Sequence, residues 1–470
     1  MEAASRFATL LLLSTYLASL FLVFPSSSAA PPPSSTPLFP SDALPTLSGY
    51  LPVGAASRSA MYFAYYEARQ PEVPLPRTPL LVWLQGGPGC SSMVGNFLEL
   101  GPWLVANSTT GPFLVPNPYS WNRLFGLLFL DNPIGTGFSI AAAPVEIPRN
   151  QTTVSEHLWI ALQGFFSSNP SFRSRPLYLT GESYAGKYVP SAGYYISQRN
   201  ARTAADRRIN LAGVAIGNGL THPVAQVATH ADSAFFSGLI NEPQKTHLEK
   251  LQSEAVSLTV AEKWAAAHDA RKEVLKYLQD STGLATLYDL TKKKPYPTDL
   301  VGIFLAQEHV KAALGVAEGA TWEECSGVVA EAFHEDVMKS AKAAVEGLLQ
   351  QGKVKVLLYQ GLFDLRDGVL STEAWLKKTQ WAELRSFLAA ERRVWRVAGG
   401  DLAGYVQKYG TLSHVVVAGA GHLVPADQGM TSQQMIEGWV MGNSQFSAQR
   451  KGRHLGDVWA QQHVDQDASF

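Results

Sequence analysis

Between residues 80 and 220, short apolar runs alternate with stretches of helical spacing. The runs are Leu80–Leu84, Phe125–Leu130, Leu177–Leu179 and Leu211–Ile216. Over about 152–168, by contrast, Val154, Leu158, Ile160, Ala161 and Phe165 form one apolar stripe. An unbroken apolar strand suits a sheet covered on both faces, where neither side meets water. Strands that alternate with helices predict a mostly parallel sheet, because each parallel return needs a crossover. Earlier strands are expected at Gly49–Val53 and Met61–Tyr66.

The segments that end these runs are rich in glycine. Gln85–Ser92 reads QGGPGCSS, a loop whose backbone can approach a ligand closely and point N–H groups inward. Asp131–Gly137 is a second tight loop, and Gly217-Asn218-Gly219 closes the last run. Pro176–Pro190 reads PLYLTGESYAGKYVP, a short apolar run, a Gly-acid-Ser turn, then a helical pattern. A serine at the tip of a strand–elbow–helix is how the α/β-hydrolase fold presents its nucleophile. Gly181, Glu182, Ser183 and Tyr184 follow the G-x-S-x-G signature, but the fifth position is Ala185 and Gly186 comes one later. Taken alone, the same residues also make an ordinary turn.

A serine nucleophile needs a base, and the base needs an orienting acid, in the chain order Ser, Asp/Glu, His for this fold. From about 226 to 350 strand signals fade and helix formers dominate, which predicts a helical insertion capping the sheet. Strands then resume at Val354–Tyr359, Arg393–Val397 and His414–Val417, with a last helix over about Ser432–Val440. Asp364 follows the first of these strands and is the expected acid, with Asp367 its competitor. His422 follows the last strand among small residues, Ala418-Gly419-Ala420-Gly421, and is the expected base. His414 opens the strand itself and is read as a packed or surface residue. No HExxH motif or Cys/His cluster occurs, so neither a metal nor a cofactor is expected.

The chain has 470 residues and a formal net charge of −1, which gives no reason to expect nucleic acid as a partner. Lys292-Lys293-Lys294 is too short for a basic arm. Residues 1–29 read as a signal peptide: Arg6, an apolar run over 8–24, then small residues up to a cut near Ala29. Residues 30–46 are Pro- and Ser-rich and read as a flexible lead-in or pro-segment. The hydrolase domain is expected over 47–443, and 444–470 as a polar tail. No later run could cross a membrane, so no membrane association is expected after signal cleavage. Asn107 and Asn150 stand in N-x-[ST] triplets and are candidate glycosylation sites. Cys90 and Cys325 are the two cysteines, and an oxidising compartment favours a bridge between them. On a chain-entropy basis such a bridge stabilises by ~4–5 kcal/mol. An extracellular or vacuolar/lysosomal destination follows. No oligomeric state is fixed, and a homodimer stays open.

LVWLQGGPGCSS, ELGPW, FLDNPIGTGFS, LTGESYAGKYVP, GNGLTHP, WEECS, LLYQGLFDL and GAGHLVPADQ occur in one order between about Gly49 and Gly442. Together they resemble the serine carboxypeptidase family, its plant-type members in particular. The resemblance implies that Ser183 is the nucleophile, His422 the general base and then acid, and Asp364 its orienter. It also implies an oxyanion hole from the N–H groups of Gly87 and Tyr184. Gln85, Gly86 and Glu182 would bind the substrate's C-terminal carboxylate. Glu182 can do so only while a proton is shared, which implies an acidic optimum. By position, Cys90 and Cys325 match the family's bridge from the Gly-rich loop to the insertion. Two departures stand out: Gln85 replaces the common Asn, and the family's further disulfides are absent. The implied activity is serine-type release of C-terminal residues from peptides or proteins. Acyl transfer from a glucose ester by the same triad, and an inactive binding protein, are the alternatives. Relatives with the transferase activity tend to carry Asp before the Ser, so Glu182 favours the peptidase.

Overall fold

The computed structural model describes residues 39–54, 58–397 and 399–442. The expected signal peptide, most of the lead-in and the tail lie outside the described residues. Among the described residues twelve strands are found: β1 Leu47–Pro52, β2 Ala60–Tyr66, β3 Leu80–Leu84, β4 Trp103–Ser108, β5 Gly111–Pro116, β6 Gly126–Leu130, β7 Leu177–Glu182, β8 Leu211–Gly217, β9 Lys355–Gly361, β10 Arg392–Arg396, β11 Leu402–Tyr409 and β12 Leu412–Val417. Ten of them form one sheet in the order β1-β2-β6-β3-β7-β8-β9-β12-β11-β10. From β6 to β12 all neighbours are parallel; the pairings outside that block are antiparallel. This is an α/β-hydrolase sheet.

The parallel strands are apolar throughout because both faces are covered. Leu80, Val82 and Leu84 belong to one core cluster, while Leu81 and Trp83 belong to another. Successive side chains point to opposite faces of a strand, so the sheet itself separates the two clusters. Helices Gln151–Ser168 and Ala185–Asn200 supply the first cluster with Val154, Leu158, Phe165, Tyr188 and Val189. Helix Gly429–Met441 supplies the second with Met435, Ile436 and Trp439. Each such side chain, fully buried, contributes ~1.5–3 kcal/mol relative to exposure.

Two elements escape the sequence reading. The hairpin β4–β5 alternates poorly and is only half-buried, and β11 is interrupted by polar residues (Tyr405, Gln407, Lys408) on an antiparallel flank. Neither carries the apolar run that marks a central strand.

Between β8 and β9 lie mostly helices. Glu242–Val260 and Trp264–Thr282 pair as a hairpin with a core of its own, including Leu248, Ala255, Val274 and Leu278. Glu242–Val260 starts with a capping box: Asn241 accepts from Gln244 N, and the Gln244 side chain accepts from Asn241 N. Lys342–Gln351 instead packs its Val345 and Leu348 into the core beneath the sheet. No helix among the described residues is long and apolar enough to cross a membrane.

Candidate active site

Parallel packing brings the C-terminal ends of β7, β8, β9 and β12 side by side. The loops that leave them carry Ser183, Asn218, Asp364 and His422. Ser183 has φ +60, a conformation that costs a non-glycine residue ~1–3 kcal/mol. Backbone bonds hold it there: Ser183 N donates to Gly217 O, and Ser183 O accepts from Gly186 N and Leu220 N. The elbow's departure from the signature has a steric basis. A Cβ at Gly181 would lie 2.3 Å from Leu84 O, and one at Gly186 would lie 2.7 Å from Leu220 N. The close approaches are therefore at 181 and 186, and position 185 accommodates Ala. Helix Ala185–Asn200 contains Pro190, which has no N–H to give to Gly186 O. The Thr221 hydroxyl donates to that carbonyl instead, at 2.9 Å.

His422 Nδ1 lies 2.8 Å from Asp364 Oδ2. The Asp364 carboxylate is fully engaged: Oδ1 accepts from Arg366 N (2.7 Å) and Asp367 N (3.2 Å), and Oδ2 also accepts from Asn218 Nδ2 (2.7 Å). This arrangement favours the His422 tautomer with its proton on Nδ1, leaving Nε2 free to accept. His422 Nε2 has no partner among the described residues, is buried, and faces a cavity of about 270 Å³ that Ser183 also lines. The ring is clamped by Tyr288, stacked at 4.4 Å, whose carbonyl accepts from His422 N. Asp367, the competing acid, faces Arg271 at 3.8 Å, and its own N–H donates to Asp364 Oδ1. His414 is buried in β12 against Gln360 (2.7 Å), away from the cavity.

The Gly-rich loop lies directly over the elbow. A Cβ on Gly86 would come within 2.6 Å of Tyr184 N and 2.7 Å of Ser183 Cβ, so only glycine allows this approach. Gly87 has φ +106, and neither its N–H nor that of Tyr184 takes part in the backbone bonds that fix the two loops. Cys90 and Cys325 are joined by a disulfide. Asn107 is exposed at the tip of the β4–β5 hairpin, and Asn150 is exposed at the start of helix Gln151–Ser168, whose Thr153 N it caps.

Gln85 and Glu182 meet in a buried network that also holds residues the sequence reading missed. Gln85 Oε1 accepts from Trp83 Nε1 (2.8 Å), and Gln85 Nε2 donates to Glu182 Oε1 (2.7 Å) and Glu99 Oε1 (3.3 Å). The extra methylene of Gln85 still lets one amide reach both carboxyls. Burial pushes Glu99 up to about 8, and burial followed by the nearby Glu99 holds Glu182 well above the usual carboxylate range. Two carboxyls so close cannot both ionise without large cost, so the pair keeps a proton. Glu99 sits in the apolar run FLELGPW; an acid amid such a run is the signal that marks it. Asn218, between two glycines at a strand end, is the corresponding signal for the Asp364 support.

Retaining those protons makes stability depend on pH. A carboxyl whose folded pKa is raised stabilises fully below its unfolded value near 4.5, and that stability is lost as pH rises through the folded value. Buried His230 and His414 and half-buried His222 and His268, lowered to about 4 mainly by burial, act oppositely between about 4 and 6.5. From about pH 7.5 to 8 those histidines are almost wholly neutral in both states, and the carboxyl pair dominates. Thermal melts should therefore show a falling Tm across that window, with a slope near 1.4 kcal/mol per pH unit per retained proton. Glu99→Gln should flatten the fall; an equally steep fall in that variant would contradict the assignment.

A Ser on a strained elbow and a His oriented by a buried Asp, on an α/β-hydrolase sheet, define a serine hydrolase of the α/β-hydrolase class. A profile described as serine carboxypeptidase matches residues 37–442. Serine carboxypeptidase-like 50 of Arabidopsis thaliana is 56% identical over 410 residues, covering 87% of this chain and 90% of that protein. Venom serine carboxypeptidase of Apis mellifera is 35% identical, covering 82% of each. A solved structure of the prohormone-processing carboxypeptidase KEX1(DELTA)P from Saccharomyces cerevisiae shares the fold, with a TM-score of 0.77 at 24% identity, covering 86% of this chain and 93% of that one. The chain belongs to the serine carboxypeptidase family.

Proposed function

We propose that this protein removes single residues from the C-termini of peptides through an acyl-enzyme at acidic pH. The observation that carries the reading is the buried carboxyl pair, Glu182 and Glu99, both bonded to Gln85, with Glu182 next to Ser183 in the chain. A hydrolase without need of a terminal carboxylate has no use for a buried O–H donor there. Glu182 donates its proton to one carboxylate oxygen of the substrate, while Gln85 and the Gly86 backbone orient the rest. Ser183 Oγ attacks the last peptide carbonyl as His422 Nε2 takes its proton. The N–H groups of Gly87 and Tyr184 hold the oxyanion, a term typically worth ~3 kcal/mol per donor. His422 then protonates the leaving amine, and water repeats the sequence on the ester. Raising the pH strips the shared proton and leaves an anion facing the substrate's anion, so affinity falls.

The roof of the site comes from residues 279–298 and 324–325 of the segment between β8 and β9, which acts as the cap. The disulfide and the exposed Asn107 and Asn150 support passage through the secretory pathway, in keeping with the signal peptide expected over 1–29.

The experiment pairs blocked dipeptides that differ only in a free or amidated C-terminus. Cleavage of the free form at least about 100-fold faster is expected, since the amide lacks the charge the site is built around. Equal cleavage would overturn carboxylate recognition. Transfer from a glucose ester with no peptide cleavage would make the protein an acyltransferase.

A further inference from the structure

Two buried groups of charged type, Lys187 and Asp336, have no part in the proposed reaction. Lys187 is in the first turn of helix Ala185–Asn200, which leaves the Ser183 elbow. Asp336 belongs to the segment between β8 and β9, in the link between helices Gly327–Ala332 and Lys342–Gln351. Both side chains are buried. Lys187 Nζ donates to Asp336 O and stands 3.4 Å from Asp336 Oδ2. Burial lowers the ammonium to about 8, so it is charged throughout the acidic range. Taking two charges out of water costs several kcal/mol for each ion, and only good geometry recovers it. Such a pair fixes how the two segments that carry it meet.

The same carboxylate holds the residue that follows the nucleophile. Asp336 Oδ2 accepts from the Tyr184 hydroxyl at 2.5 Å and from Gln151 Nε2 at 2.7 Å. Burial, followed by the neighbouring Asp336, keeps that hydroxyl well above its usual range, so it stays a donor. The Tyr184 ring packs edge-on against Tyr188 at 5.1 Å and against Phe333, from the same link as Asp336, at 6.1 Å. At its other end Tyr184 N faces Gly86, where an added Cβ would lie 2.6 Å away. The link also reaches the Gly-rich loop: Ser326 N donates to Gly89 O at 2.8 Å. One stretch, 326–336, therefore touches both loops that carry the proposed oxyanion donors, Gly87 and Tyr184.

We propose that Asp336 is a positioning residue for the chemical step: by holding the Tyr184 hydroxyl and Lys187 together, it sets where the Tyr184 N–H points. The inference rests on the proposed oxyanion hole and adds to it a residue outside the cavity lining. An oxyanion donor works only within about 2.7–3.1 Å of the place the oxygen takes in the transition state. A small shift of Tyr184 then costs rate and leaves ground-state binding unchanged. The segment between β8 and β9 so acquires a second task besides roofing the site.

The test uses two variants of the full chain. Tyr184→Phe deletes the hydroxyl and keeps the ring. Lys187→Met combined with Asp336→Leu removes both charges together, which strands no ion and in general leaves stability close to unchanged or higher. Each should lower kcat for a blocked dipeptide by about tenfold per folded molecule, with KM within about twofold. The same factor should weaken binding of a blocked phenylalanine aldehyde, whose tetrahedral adduct on Ser183 places an oxygen on the same donors. It should also slow hydrolysis of p-nitrophenyl acetate, which needs the oxyanion donors and no carboxylate site. A lower Tm with kcat per folded molecule unchanged, a change in KM alone, or a loss confined to peptides overturns the assignment. Tyr184→Phe decides the matter where the double variant does not fold. Absence of peptide cleavage by the wild-type protein, with ester hydrolysis that both variants slow, defeats the carboxypeptidase reading and supports this one.

Discussion

Ser183→Ala is expected to lower kcat for peptide hydrolysis by about 10⁶-fold, with little change in stability or in substrate binding. The effect is this large because the remaining groups are organised around one oxygen. On the proposed mechanism, His422 Nε2 loses the hydroxyl it deprotonates, and the N–H groups of Gly87 and Tyr184 have no oxyanion to hold. The fold should survive because the elbow is held by backbone groups: Ser183 N to Gly217 O, and Gly186 N and Leu220 N to Ser183 O. Ala at φ +60 carries a strain comparable to that of Ser. Amino-acid release measures the loss, and a thermal melt with the wild-type Tm shows that the fold is kept. Residual cleavage near the wild-type rate would assign the chemistry to another group.

The second large effect is Asp364→Asn, expected to lower kcat by about 10⁴-fold. All four contacts to this carboxylate come from donors: Arg366 N and Asp367 N on Oδ1, Asn218 Nδ2 and His422 Nδ1 on Oδ2. An amide supplies one acceptor oxygen and one NH₂ group. If NH₂ faces the backbone, two N–H groups lose their acceptor. If it faces His422, the imidazole must shift its proton to Nε2, the atom that has to accept from Ser183. Either placement leaves a buried donor facing a donor, which costs ~1–3 kcal/mol in stability as well. The pattern to look for is a loss in kcat far larger than any change in KM, together with a modest fall in Tm. A change in KM alone would show that Asp364 serves substrate binding instead.

Much of the architecture was legible because burial on both faces leaves an unmistakable trace. Leu80–Leu84 and Leu211–Gly217 are apolar at every position or nearly so, and their loops carry glycine where backbones touch. Strands that meet water or an edge leave no such trace, which is why β4, β5 and β11 were not foreseen. The same distinction holds at the site. Ser183, Asp364 and His422 each follow an apolar strand, and chain order relates them. Glu99 and Asn218 act through contacts between segments distant in sequence, Gln85 to Glu99 and Asn218 to Asp364, and only the folded chain brings those together. The protonation of Glu182 was expected from the chemistry of pairing two carboxylates. That a second protein acid, rather than the substrate alone, raises its pKa could not be read from residues spaced so far apart.

The most direct measurement of the central claim is labelling by an organophosphonate that reacts only with an activated serine, followed by peptide mapping. The account predicts one label per chain, on Ser183, none in Ser183→Ala, and much slower labelling in Asp364→Asn. Peptide hydrolysis that continues while Ser183 stays unlabelled, or a label carried by another residue, would contradict it.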